Sequence, residues 1–97
     1  MSAYIIGEVD VTDAAAFEQR YRPQVMPTLE KYGGRFVVRG GKAELMEGAV
    51  PPKRMVVIQF ADMAAAKRWY ASPEYQTAIA ARKNAAKVRM ILVEGVA

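Results

Sequence analysis

The sequence predicts an α+β protein in which helices cover one face of an antiparallel sheet. The first observation is a short alternating segment that lies between two glycine pairs, Gly33 with Gly34 and Gly40 with Gly41. Glycine readily adopts the positive φ that ends a helix or turns a chain, so the pairs are expected to close a helix and to open a turn. Further segments alternate as strands do, and apolar residues at four-residue spacing between them indicate helices.

The length and composition are those of one globular domain. The chain has 97 residues, of which 53% are hydrophobic and 25% charged, and we expect residues 1–97 to share a single core. No apolar run is long enough to span a bilayer. The N-terminus lacks the basic and apolar regions of a signal peptide. We therefore expect a cytoplasmic protein with no membrane partner.

The chain contains no cysteine and no histidine. This excludes disulfides, zinc sites of the usual ligand type, cysteine or serine–histidine nucleophiles and histidine ligands for haem. No cofactor or metal is predicted, and any catalysis would depend on other side chains or on the reactivity of the substrate. The net charge of +4 is spread along the chain without a dense basic run, which favours solvated helix faces over nucleic-acid binding.

The N-terminal part predicts a strand followed by an interrupted helix. Residues 3–11 alternate between two faces, and Thr12 offers a hydroxyl that could cap the following helix. Pro23 and Pro27 each lack an amide donor and crowd the preceding turn, so a kink or two helical pieces are expected. The apolar stripe of this helix consists of Phe17, Tyr21, Val25, Leu29 and Tyr32.

The middle of the chain predicts three strands. Residues 33–41 form the first, and residues 42–47 are predicted as a shorter strand paired with it. Two adjacent prolines then indicate a loop, and residues 54–60 form the most apolar strand, which is expected to be central. In the first of these strands, one face is expected to carry Phe36 and Val38, and the other Arg35, Val37 and Arg39.

The C-terminal part predicts two helical segments and a final strand. Asp62 is a suitable N-cap for the first segment. Ser72 is predicted to cap the second, with Pro73 at the first helical position, where a missing amide does no harm. No general base is available to activate Ser72, so capping is favoured over a nucleophilic role. Residues 88–96 alternate as the last strand.

Without the short strand at 42–47, the order of elements is βαββαβ, the ferredoxin-like arrangement with both helices on one face. The opposite face would be too apolar to remain in water. A homodimer formed through that face is therefore predicted. Its expected residues are Tyr4, Ile6, Val37, Arg39, Val57 and one set from residues 88–96.

Three segments together resemble the domain-of-unknown-function 1330 family: GGRFVVRGG at residues 33–41, WYASPEYQ at 69–76 and VEG at 93–95. The resemblance covers nearly the whole chain. It implies a dimeric α+β barrel, in which two ferredoxin-like sheets face each other around internal cavities. That group includes antibiotic-biosynthesis monooxygenases, but the resemblance implies no established activity. The lack of histidine separates this chain from barrel relatives that bind haem.

Arg39 is the strongest candidate for a ligand-binding residue. A guanidinium beside Gly40 can be approached closely, and its donors match a carboxylate in two-point geometry. We expect Arg39 to face the barrel interior and hold an anion. Two roles remain open: an anchor for a ligand, or an ion pair with Glu44 or Glu8.

The other candidate ligand-binding residues are aromatic. Trp69, Tyr70 and Tyr75 lie at a helix break, where they could line a pocket, although anchoring of the helix to the sheet is favoured. Tyr4 belongs to the uncovered face and completes the set. No catalytic residue is assigned, and whether the protein is an enzyme stays open.

Three functions follow from these observations. The first is binding or transformation of a small aromatic or acidic metabolite in an internal cavity. The alternative is a non-enzymatic structural or interaction module whose interior is filled by side chains. RNA binding is disfavoured, because Phe36 lies on the second strand rather than on the strand that carries the aromatic signature of RNA-recognition motifs.

Overall fold

The structure, a computed structural model that describes residues 1–96, is built on a four-stranded antiparallel sheet. The strands lie side by side in the order β2-β3-β1-β4, and the sheet is open at β2 and β4. Their bounds are β1 Ala3–Val11, β2 Arg35–Arg39, β3 Arg54–Phe60 and β4 Ala86–Glu94.

The helices all lie on one face of this sheet, which confirms the predicted βαββαβ order. Alternate residues of β1 are buried beneath them, beginning with Ala3 and Ile5. The core joins Ile58 and Phe60 of the sheet to Leu29 and other helix residues. The helical elements are α1 Ala14–Ala16, a π-helical turn Phe17–Tyr21, α2 Arg22–Tyr32, α3 Met63–Ala71 and α4 Pro73–Arg82.

Helical turns follow one another without a gap from Ala14 to Tyr32, and α2 continues through both prolines, so they do not divide the helix as expected. The irregularity is instead a π turn that precedes them. The N-cap is Asp13 rather than Thr12: Asp13 Oδ1 accepts a hydrogen bond of 3.1 Å from the amide of Ala16. Asp13 reaches this amide because it directly precedes α1. At the other end, Gly33 has a φ of 79° and closes α2 in the left-handed conformation.

The strand predicted at residues 42–47 is not formed. Residues 40–53 are instead a loop between β2 and β3, and residues 40–51 are all exposed. Leu45 and Met46 are adjacent, so in a strand they would point to opposite faces and would leave neither face apolar enough to pack. The predicted final strand begins two residues earlier, at Ala86.

The second sheet face carries no helix. Its side chains include Ile6 and Val57, which are cross-strand partners, and Ile91, which pairs with Ile6 on the other side. Val38, Ile91 and Val93 remain 41–43% exposed there. We call this surface the bare face. Within residues 1–96, no helix is both long and apolar enough to cross a membrane.

Candidate functional site

A bulge in β2 decides which way Arg39 faces. Phe36 pairs with Ile58, but Val38 pairs with Val57, so the register shifts between Phe36 and Val38. Paired residues of an antiparallel sheet share a face, and one extra residue reverses the alternation after it. Arg39 therefore pairs with Val56 on the helix-covered face. The expectation that Arg39 shares the bare face with Val57 is wrong, and Val38 takes that place.

A small apolar cavity lies between this part of the sheet and the helices. It offers about 40 Å³ of space open to water, enough for a few water molecules. The sheet contributes Phe36 and Val56, and the π turn contributes Phe17 and Tyr21. The remaining lining residues are Val9, Arg22, Val25, Arg39, Arg54, Ile58, Val88 and Met90.

Two guanidinium groups line this cavity over its aromatic walls. The guanidinium carbon of Arg39 lies 4.9 Å from the Phe36 ring centroid, and that of Arg54 lies 5.8 Å from the Phe17 centroid. Among the described residues, neither arginine has a carboxylate within 4.0 Å. Glu44, a predicted partner of Arg39, instead lies 3.4 Å from Lys42. Two positive charges without a carboxylate partner give this part of the surface a potential that favours anions.

Gly40 makes room for one of these cations. Its φ is 70°, and its amide bonds to the carbonyl of Met55 at 2.8 Å. A Cβ at this position would lie 2.5 Å from Arg54 Nε. The positive φ favours glycine here, and the missing Cβ leaves space that the Arg54 side chain occupies.

A pair of phenols adjoins the cavity. The hydroxyls of Tyr21 and Tyr75 lie 2.7 Å apart, and the guanidinium of Arg82 stacks over the Tyr21 ring at 5.4 Å. Burial, and then the neighbouring Tyr21, raise the pKa of Tyr75 far above its ordinary value, so Tyr75 keeps its proton. The buried Nε of Arg82 has no hydrogen-bond partner among the described residues.

The π turn positions the cavity's aromatic wall. In this turn the amide of Arg22 bonds to the carbonyl of Phe17. The Phe17 and Tyr21 rings lie next to each other in this turn, with centroids 5.1 Å apart. Turns of this kind are rare and occur frequently at functional sites.

The aromatic residues at the helix break are mainly structural. Trp69 and Tyr75 are fully buried and stack with centroids 3.8 Å apart, and Trp69 Nε1 donates to Thr28 Oγ1 at 3.0 Å. These contacts anchor α3 and α4 to the core. Ser72 acts as the predicted cap, since its hydroxyl accepts from the amide of Tyr75 at 3.1 Å.

The predicted site residues thus fall in separate places. Tyr70 is 45% exposed and lines a second, more open groove of about 420 Å³ beside Met90 and Leu92. Tyr4 is on the bare face, opposite Val93. The structure brings together the three aromatic residues of the helix break, but not Arg39 or Tyr4.

Three residues of the site are not predicted by the sequence analysis. The only signal for Arg54 is its position as a cation at the start of the apolar strand β3. The four-residue spacing predicts Tyr21 as part of the helix stripe and gives it no other role. Arg82 reaches Tyr21 from a distant helix, and no local pattern indicates that contact. Within residues 1–96, no three metal-ligating side chains cluster in a way that could hold an ion.

Comparison with solved structures finds the same fold in other proteins. A protein of unknown function from Rhodopseudomonas palustris is 18% identical, with a TM-score of 0.79, over 99% of this chain and 83% of that one. SnoaB, a cofactor-independent oxygenase from Streptomyces nogalater, is 17% identical, with a TM-score of 0.68, over 97% and 92% of the two chains. At these identities the likeness concerns the fold.

A dimeric protein of unknown function with a ferredoxin-like fold from Bacteroides fragilis is 9% identical, with a TM-score of 0.65, over 97% of this chain and 96% of that one. Comparison with curated proteins finds no match. The family model described as "Domain of unknown function (DUF1330)" matches residues 2–96. The chain therefore belongs to the DUF1330 family, as the three sequence segments predict.

Proposed function

We propose that this protein binds a small aromatic acid in the cavity between its sheet and helices, with the ligand carboxylate held by Arg39 and Arg54. The observation that carries the proposal is the pair of guanidinium groups that line an apolar cavity without a carboxylate partner among the described residues. A guanidinium matches a carboxylate through two parallel hydrogen bonds, which are among the stronger hydrogen bonds in proteins.

The aromatic walls support a ring-bearing ligand. Arg39 and Arg54 now lie over Phe36 and Phe17, in contacts that contribute about 0.5–1 kcal/mol at exposed sites. A carboxylate can replace those contacts with charge-assisted hydrogen bonds, while the ligand ring packs on the aromatic wall. Most binding sites for small molecules combine an apolar lining with a few polar groups in this way.

The cavity must widen to admit such a ligand. Its open space is about 40 Å³, whereas ligand pockets typically measure about 300–1,000 Å³. Arg39 is exposed and Arg54 partly so, and both belong to the ends of strands joined by the loop 40–53. Outward rotation of these two long side chains would extend the cavity towards solvent.

We also propose that the protein is a homodimer whose bare faces meet. With strands spaced about 4.8 Å apart and rising about 3.3 Å per residue, the four strands cover about 480 Å² per protomer. Two facing sheets give about 950 Å² before the relief of the side chains is added, and specific interfaces bury about 1,200–2,000 Å². The dimeric relative in fold from Bacteroides fragilis supports this assembly.

Transformation of the ligand is consistent with the fold, since the SnoaB structure shows that a protein of this architecture can be a cofactor-independent oxygenase. The alternative, a structural module without a ligand, is supported by the small volume of the cavity. Ligand binding separates the two possibilities.

The test is calorimetric titration of benzoate and of uncharged benzamide into the wild type, Arg39→Met and Arg68→Met. Arg68 is an exposed arginine on α3 that does not line the cavity, so it is the matched control. We expect Arg39→Met to weaken benzoate binding about tenfold, because a hydrogen bond to a charged group contributes about 1.5–3 kcal/mol. Equal benzoate affinities of both variants and the wild type would favour the structural module.

A further inference from the structure

The hydroxyl groups of Tyr21 and Tyr75 carry two hydrogens, and the hydrogen bond between them uses only one. The two oxygens are 2.7 Å apart, so one hydroxyl donates and the other accepts. Arg82 lies close enough to donate to both oxygens, but no second acceptor for a hydroxyl hydrogen of this pair is found among the described residues. The accepting hydroxyl therefore carries a hydrogen that no described group receives.

The unused hydrogen is assigned to Tyr21, because Tyr75 is the more buried phenol and its hydroxyl needs to donate within the pair. Tyr75 is completely buried and its ring stacks on Trp69, so an unused donor there would be cut off from any acceptor. Tyr21 is half-buried and lines the cavity. Donation from Tyr75 to Tyr21 satisfies the buried phenol and leaves the Tyr21 hydroxyl, on a residue of the cavity wall, with a hydrogen to donate.

Arg82 cannot receive this hydrogen. Its guanidinium lies over the Tyr21 ring, 5.4 Å from the centroid, and an arginine side chain has donors but no acceptor. The buried Nε of Arg82 is itself a donor without a partner among the described residues. Tyr21 lines the cavity and Arg82 does not, but both carry an unused donor, so the partner missing here is an acceptor.

We infer that Tyr21 is a second anchor of the cavity, positioned by Tyr75, which donates a hydrogen bond to a carbonyl oxygen of the ligand. The ligand class is then an aromatic keto acid: its carboxylate binds Arg39 and Arg54, its ring packs on Phe36, and its ketone accepts from Tyr21. The inference rests on the proposed function and adds the second polar group that the ligand must carry.

Two nearly isosteric probes test it, 4-acetylbenzoate and 4-isopropenylbenzoate, which differ by a carbonyl oxygen in place of a methylene group. Affinities are measured for the wild type, Tyr21→Phe, Tyr75→Phe and Arg39→Met. We expect the wild type to prefer the ketone about fivefold, the scale of one neutral hydrogen bond. Tyr21→Phe should abolish the preference, Tyr75→Phe should reduce it, and Arg39→Met should weaken both probes while keeping their ratio.

A spectroscopic measurement does not depend on the folding of any variant. The carbon-13 signal of carbonyl-labelled 4-acetylbenzoate should move downfield on binding to the wild type, since hydrogen-bond donation polarises the carbonyl. Equal affinity of the wild type for the two probes, with no downfield shift, would overturn the role of Tyr21. The proposed function would still stand in that case if Arg39→Met weakens the binding of both probes. Failure of both probes to bind the wild type would overturn both.

Discussion

Arg39 and Val56 are partners across strands β2 and β3, and their side chains share the helix-covered face of the sheet. The neighbouring pair, Val38 and Val57, lies on the bare face. One extra residue in β2 thus separates the charged group from the proposed dimer interface. Arg39 lines the cavity, and Val38 takes its place beside Val57 on the bare face.

Replacement of Arg39 by methionine should change stability little. Arg39 has no carboxylate within 4.0 Å among the described residues, so its removal leaves no charge buried without a partner. The expected loss is the contact with Phe36, about 0.5–1 kcal/mol. Urea unfolding of Arg39→Met measures it. A loss of several kcal/mol would show that Arg39 is a structural ion-pair partner instead.

Introduction of a charge on the bare face should separate the protomers. Ile91 is 43% exposed on this face, so Ile91→Arg should leave the monomer folded while placing an unpaired charge in the interface. Light scattering at micromolar concentration should report a dimer for the wild type and a monomer for Ile91→Arg. Met26→Arg on the helical side is the matched control and should remain dimeric. A monomeric wild type would contradict the proposed assembly.

Ser72→Ala should destabilise the protein without affecting ligand binding. The Ser72 hydroxyl accepts from the amide of Tyr75 and donates to the carbonyl of Trp69, and loss of an N-cap costs about 1 kcal/mol. For a domain of this size, Tm should fall by about 4–8 °C. Thr77→Ala removes an exposed hydroxyl from the same helix and should change Tm much less. If the Tm of Ser72→Ala equals that of the wild type, the capping role is excluded.

The ion pair of Lys31 and Glu74 should stabilise the fold in a pH-dependent way. Hydrogen bonding to Lys31 lowers the pKa of Glu74, and Tyr32 also donates to this carboxylate at 3.1 Å. A lowered folded-state pKa contributes stability above the unfolded pKa of about 4.3, which is lost as the pH falls through the folded value. The difference in unfolding free energy between the wild type and Glu74→Gln should therefore shrink from pH 7 to pH 3. A difference that grows towards acid would contradict this.

The sequence predicts the fold because its local signals agree with the final packing. Alternation defines β1 and β3, Ser72 and Asp62 cap the helices they precede, and Gly33 ends α2. Each of these signals acts within a few residues of chain. Sequence order alone then leads to the ferredoxin-like arrangement.

The cavity could not be predicted in the same way. Its lining depends on one extra residue in strand β2 and on a π turn in the first helix, and neither leaves a pattern in the sequence. A continuous strand and a bulged strand are equally compatible with the alternation around Val37, yet they place Arg39 on opposite faces. The four-residue spacing of Phe17 and Tyr21 likewise predicts one helix face but does not reveal the π turn that contains both residues. The contact of Arg82 with Tyr21 joins distant parts of the chain and leaves no local pattern.

The position of a bound aromatic acid tests the central claim most directly, and two adjacent valines can report it. Val56 lines the cavity, whereas Val57 faces the bare side of the same strand. Intermolecular nuclear Overhauser effects should be measured between the ring protons of bound benzoate and the valine methyl groups. The account predicts contacts to Val56, with none to Val57. Contacts to Val57 and Ile91 without any to Val56 would contradict it, because the ligand would then lie on the bare face of the sheet.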